Sequence, residues 1–143
     1  MIRSYVTSRS FAGLIVPVPA QNAALREFAQ SKGDIYALPF LEHKFESCYM
    51  QLFTVVQGAS SGDCIAMYSA AMLPYMHQKK LDFLELCIQK TCCELHFVLE
   101  GITTNSIASI KNILDSYRLR EILDISESIT TKSLREIILF QDL

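Results

Sequence analysis

Long uninterrupted apolar runs are missing from this chain, which argues against a membrane-spanning helix. The longest candidates, residues 107–114 and 137–140, are broken by polar residues well short of the roughly 18 positions a bilayer requires. Concentrated basic charge is missing too. The 13 Lys and Arg stand against 15 Asp and Glu for a net charge of −2, and only Lys79-Lys80 and Arg118 with Arg120 approach a cluster. A nucleic-acid binder gathers such residues on one face to neutralise phosphates, so no nucleic-acid partner is expected. Cysteine is present, but Cys48, Cys64, Cys87, Cys92 and Cys93 form no CxxC pair. Structural zinc wants two close ligand pairs, so neither metal nor other cofactor is expected. The thiols read as small buried hydrophobes in a reducing compartment. No repeat, low-complexity stretch or long linker divides the chain. Met1-Ile2-Arg3-Ser4 lacks the charged-then-apolar layout of a signal peptide. The expectation is one cytoplasmic domain, 1–143, with no membrane insertion.

What is present fits a folded domain: half the residues are hydrophobic and a fifth are charged. Strand-length apolar runs alternate with helix-period segments. Residues 2–7 read as a first strand, and a loop with Gly and Pro follows over 13–19. A helix over 20–32 has Ala24, Leu25, Phe28 and Ala29 on one face and Gly33 as its stop. Residues 34–38 read as a second strand closed by Pro39, 46–57 as a second helix, and 64–68 as a central strand apolar on both faces. A third helix over 77–90, a fourth strand over 95–99, and helices over 106–117 and 133–140 complete the series. The alternation predicts an α/β fold: a three-layer parallel sheet of about four strands in the order 2-1-3-4, with right-handed crossovers. Residues 1–117 would form the core and 118–143 a helical extension.

In such a sheet, ligands bind at the carboxyl ends of the strands beside the point where the strand order reverses. That rule selects the loop after strand one and the end of strand three. Ser8, Arg9 and Ser10 offer two hydroxyls and a guanidinium able to hold a phosphate or carboxylate in a bidentate fork. They are the candidate catalytic residues; the alternative is that the serines cap a turn and Arg9 pairs with a surface carboxylate. Tyr5 lies in the second half of the same strand and joins the candidate ligand-binding set. Gln21 and Asn22 open the first helix, where free N–H groups favour an anion, unless Asn22 only caps it. Tyr68 and Ser69 bring hydroxyls to the switch point, although Tyr68 also suits a core. Glu42 with His43 could form an acid/base pair or surface charge. Glu100 ends strand four as a ligand contact or a helix partner. His96, between Leu95 and Phe97, reads as a face-lining residue, and His77 as a solvated helix start.

Two resemblances follow. Tyr5-Val6-Thr7-Ser8-Arg9, Gln21-Asn22, Gly62-Asp63-Cys64-Ile65 and residues 95–104 together resemble the catalytic domain of serine recombinases, whose strand-one loop carries a nucleophilic serine. The likeness implies a resolvase-like fold over residues 2–115. It departs where that chemistry would need arginines, because residues 68–74 contain none and a phosphoryl-transfer transition state loses its electrostatic support. A closer resemblance is to the sporadic carbohydrate cluster proteins of bacterial surface-polysaccharide gene clusters. It is carried by residues 5–11, Gly13, Val16-Pro17, Gln21-Asn22, Cys48-Tyr49, Tyr68-Ser69, Leu73-Pro74 and residues 95–101. It implies a role in O-antigen or capsule biosynthesis with a sugar, sugar acid or nucleotide-sugar as ligand. The alternative is a non-catalytic, resolvase-like module that assembles or regulates pathway enzymes. The apolar content of the last 40 or so residues fits a homo-oligomer.

Overall fold

The computed structural model describes the backbone of residues 1–141, so 142–143 of the expected C-terminal extension lie outside the described residues. The fold is α/β. Strands β1 (Ile2–Val6), β2 (Phe40–Leu41), β3 (Cys64–Met67), β4 (Glu94–Phe97) and β5 (Ile102–Thr104) form one sheet in the order β2-β1-β3-β4-β5. Helices are α1 (Val18–Ser31), α2 (Met50–Gln57), α3 (Gln78–Thr91) and α4 (Lys111–Gln141), with single 3-10 turns at Ala70–Met72 and Ile107–Ile110. The sheet therefore has five strands rather than four. It is mixed rather than all-parallel, because β5 runs antiparallel to β4. Gly101, at φ +66, turns the chain back and makes that hairpin possible.

The strands are short and the alternation of their side chains divides the core in two. Tyr5, Ile65, Met67, Leu95 and Phe97 point to one face, under Leu52, Val55 and Val56 of α2 and Leu81, Leu84 and Ile88 of α3. Ile2, Val6 and Ala66 point to the other, where α1 covers them with Leu25 and Ala29. Helices α2 and α3, joined by the first turns of α4, cover the first face, and α1 alone covers the second. The thinner side explains His96: its ring stacks on Phe28 of α1 at 3.8 Å, and Nδ1 meets the Thr103 hydroxyl at 2.7 Å. Burial and nearby Lys32 hold that imidazole below its usual pKa.

Several boundaries differ from the sequence expectation. The second strand lies at Phe40–Leu41, not 34–38. The Asp34 carboxylate, 2.8 Å from the Ile2 N–H, takes the donor at the start of β1, while Ile35 and Leu38 lie exposed. Helix α1 begins at Val18, its first turn set by Pro19. Gln21 and Asn22 thus sit one turn inside it. Helix α2 begins at Met50, because residues 46–49 are held in a loop by contacts described below. The two helices expected over 106–117 and 133–140 are one 31-residue helix, α4. Its first turns pack Ile113, Leu114 and Tyr117 against the core. Cys87 and Cys93 are buried as expected, but Cys92 is exposed at the left-handed end of α3. Among the described residues, no helix is long and apolar enough to cross a membrane.

Candidate functional site

A cleft of about 540 Å³ opens at the carboxyl edge of the sheet, where β1 lies between β2 and β3. That size suits a small-molecule ligand. Three segments and one helix build it: the β1–α1 loop (Thr7, residues 9–13), the β2–α2 loop (Lys44, Glu46, Ser47, Tyr49), the segment after β3 (Ala71 to His77), and α4 (Tyr117, Arg120, Glu121, Asp124).

The β1–α1 loop is shaped by Thr7 and Gln21. The Thr7 hydroxyl accepts the Arg9 N–H at 3.2 Å, which turns the chain directly after the strand. Gln21, fully buried, pairs with Thr7 as a neighbouring strand would. Its Oε1 accepts the Thr7 N–H at 3.2 Å, and its Nε2 donates to the carbonyls of Thr7 at 2.7 Å and Val16 at 2.8 Å. Residues 11–14 then close a two-residue turn with Ala12 at φ 50 and Gly13 at φ 74, paired through reciprocal Phe11–Leu14 backbone bonds.

The β2–α2 loop is fixed by a buried carboxylate. Glu42 is 2 % exposed. It accepts the Tyr5 hydroxyl at 2.9 Å, the His43 N–H at 3.0 Å, and the N–H groups of Gln51 and Leu52 at 3.1–3.2 Å. Those last two are unpaired donors of the first turn of α2, so Glu42 neutralises a helix N-terminus in the interior. Burial first, and Glu42 second, push the Tyr5 hydroxyl well above its usual pKa.

Glu100 does the same work on the far side of the cleft. Its carboxylate accepts the Ser69 hydroxyl at 2.7 Å, the Ala70 N–H at 3.1 Å and the Tyr117 hydroxyl at 2.6 Å. It ties the segment after β3 to α4, and Ser69 itself caps the 3-10 turn by accepting the Ala71 N–H.

Within this frame Arg9 crosses from the first loop to the second. It donates to the Phe45 carbonyl at 2.9 Å, and its guanidinium sits 4.9 Å from the centre of the Tyr49 ring. Lys80 approaches the same ring at 5.4 Å and donates to the Ser47 carbonyl at 2.6 Å. Burial raises the Tyr49 pKa although the Arg9 charge opposes it. Ser47 Oγ meets His77 Nε2 at 3.0 Å, and Ser47 holds a left-handed backbone at φ +59. For a residue with a side chain that conformation costs on the order of 1 kcal/mol. Tyr75 and Tyr117 lie with ring centres 5.9 Å apart in the same wall. Burial, then Glu121, keeps the Tyr75 hydroxyl protonated beyond its ordinary range. Lysine and arginine (Arg9, Lys44, Arg120) match acid (Glu46, Glu121, Asp124) around the rim.

Of the residues selected from sequence, Arg9 and Ser10 line the cleft, while Ser8 is exposed outside its lining. Tyr5, Gln21 and Glu42 are buried in the hydrogen bonds that shape the loops. Asn22 accepts the Tyr36 hydroxyl at 2.8 Å. Tyr68 packs beside Phe11, and Ser69 and Glu100 bond to each other. His43 is exposed, and only its backbone N–H meets Glu42. His77, read from sequence as solvated, is half-buried in the cleft. Sequence reasoning passed over Ser47, Lys80, Tyr75 and Arg120; Tyr49 and Leu73-Pro74 carried a family resemblance but no assigned role. Among the described residues, no group of three or more His, Cys, Asp or Glu side chains could hold a metal ion. No protein-family model matches the chain, and no curated protein matches it significantly.

Proposed function

We propose that this cleft binds an anionic carbohydrate, a sugar acid or nucleotide-sugar, in bacterial surface-polysaccharide biosynthesis in the cytoplasm. The observation that carries the reading is Arg9, which spends one guanidinium N–H on Phe45 and keeps donors with no protein acceptor among the described residues. A guanidinium held over an aromatic ring at a cleft wall suits a phosphate or carboxylate. The rest of the lining suits the sugar. Tyr49, Tyr75 and Tyr117 in the lining give aromatic surface for its C–H groups. Glu46, Glu121, Asp124, Ser10 and Ser47 offer acceptors for its hydroxyls. The pathway follows from the resemblance to sporadic carbohydrate cluster proteins carried by residues 5–11, 48–49 and 95–101.

A thermal-shift panel of nucleoside-diphosphate sugars and sugar acids tests this. A ligand that binds only the folded protein raises its melting temperature. At least one member of the panel should do so, and Arg9→Ala should abolish the shift. No shift from any anionic sugar, or an equal shift in the variant, refutes the reading. A second role, assembly into a homo-oligomer, is supported by α4, whose outer length exposes Leu119, Ile122, Leu123, Ile125, Ile129 and Leu134.

A further inference from the structure

We infer that Ser47 and His77 form a nucleophile–base pair, and that the cleft hydrolyses a carboxylic ester, an O-acyl group carried by its sugar ligand. This rests on the carbohydrate reading for the substrate class only; the chemistry stands on the pair itself.

The two side chains come from different parts of the chain, 30 residues apart, and meet at 3.0 Å inside the cleft. That is the contact a base needs to take a hydroxyl proton. The backbone of the serine is fixed as well. Outside glycine, only Ala12, Ser47 and Cys92 adopt a positive φ among the described residues. Ala12 belongs to a two-residue turn and Cys92 ends a helix, both ordinary settings for that conformation. Ser47 is the third residue of a turn closed by the Cys48 N–H on the Phe45 carbonyl at 3.2 Å, again a place that takes a positive φ, and the surrounding structure holds it there. Lys80 grips its carbonyl at 2.6 Å and Glu42 clamps the loop on either side, at His43 and at Gln51. A turn held from both sides fixes the direction in which its side chain projects.

The neighbourhood completes the requirement. Arg9 and Lys80 lie on the Tyr49 ring, and their positive field favours the negative charge that builds on a carbonyl oxygen under attack. The Tyr49 ring and the imidazole lie edge to face, 6.5 Å between centres.

In the reaction, Ser47 Oγ bonds to the acyl carbon as His77 Nε2 takes the hydroxyl proton. The bond from that carbon to the sugar oxygen breaks, and His77 returns the proton to the departing sugar hydroxyl. Water then repeats the sequence on the acyl-serine: His77 takes its proton, the acid is released, and Ser47 recovers its hydrogen. No oxidant, metal or cofactor enters the balance.

The test uses the full chain with a fluorophosphonate, which labels a serine only when a base activates it. Peptide mass spectrometry should find the label on Ser47. His77→Gln, which keeps a hydrogen bond to Ser47 but cannot accept its proton, should label about 100-fold more slowly or worse. Ser47→Gly, compatible with the left-handed backbone, should be unlabelled while its circular dichroism matches the parent. An unlabelled Ser47 in the parent protein, or labelling of His77→Gln at the parent rate, overturns the inference. The thermal-shift panel separates the two readings. A sugar shift with unlabelled Ser47 sinks the nucleophile alone. Labelled Ser47 without any sugar shift upholds the nucleophile and sinks the carbohydrate substrate.

Discussion

Glu42 illustrates how one side chain can be functional in position and structural in role. It lies at the ligand-bearing edge of the sheet, yet its two oxygens are taken up by Tyr5, His43, Gln51 and Leu52. Replacing it by Gln removes the charge and turns an amide donor toward helix donors. That substitution should cost about 2 kcal/mol of stability in urea denaturation, whereas Glu46→Gln, on the exposed part of the same loop, should shift it by less than about 0.5 kcal/mol. Tyr5, Tyr49, Tyr75 and Tyr117 all have pKa values raised by burial, which has a consequence at high pH. The unfolded tyrosine ionises near 10.0, so above that pH the unfolded chain sheds protons that the folded one keeps. The stability these groups contribute is complete below pH 10 and declines as pH rises toward their folded values. Urea midpoints should therefore fall from pH 10 upward, less steeply in Tyr5→Phe; a flat profile would contradict the assignment.

At the level of elements, legibility in the sequence tracked how local each cause is. β1, β3, α1 and α3 have side-chain periods that depend on their own residues, and all four were readable to within a few positions. The β2–α2 connection was not. Phe40–Leu41 is a two-residue pairing chosen by β1, and the chain from Glu46 to Tyr49 gives up helical structure because Arg9, Lys80 and His77 hold it. Those partners are 30 or more residues away. β5 was missed because Ile102, Thr103 and Thr104, though β-branched, are too few to show a strand period. The outer part of α4 is the least explained by the core. At 31 residues it runs about 46 Å, and its exposed Leu and Ile have no cover in the single chain. If that stripe joins copies, the protein should sediment above its 16.2 kDa monomer. Ile129→Lys with Leu134→Lys should then return it to monomer with an unchanged core melting temperature. A monomeric parent protein would remove the stripe from the account.

For the whole molecule, the sheet rule led from sequence to the edge at which the structure opens its cleft. Arg9 and Ser10 follow from strand order alone, because a reversal between β1 and β3 leaves a crevice there. The opposite wall does not follow. Ser47, Tyr49, His77 and Arg120 reach the cleft through the closure of two loops and the course of α4, and no pattern in their own segments marks them. The two buried carboxylates, Glu42 and Glu100, were visible as polar residues at the edge; that each would hold a loop rather than a ligand depends on burial, which sequence does not display. What emerges is a cleft braced on both sides, with its cation, its aromatic faces and its Ser–His contact all on braced segments. Arg9 is proposed to anchor an anionic sugar there. Isothermal titration of UDP-glucuronic acid into the parent protein and into Arg9→Ala measures this directly. Binding by the parent, weakened about 10- to 100-fold in the variant, is the expected result, the loss of one charge-assisted anchor; equal affinity in the two proteins would contradict it.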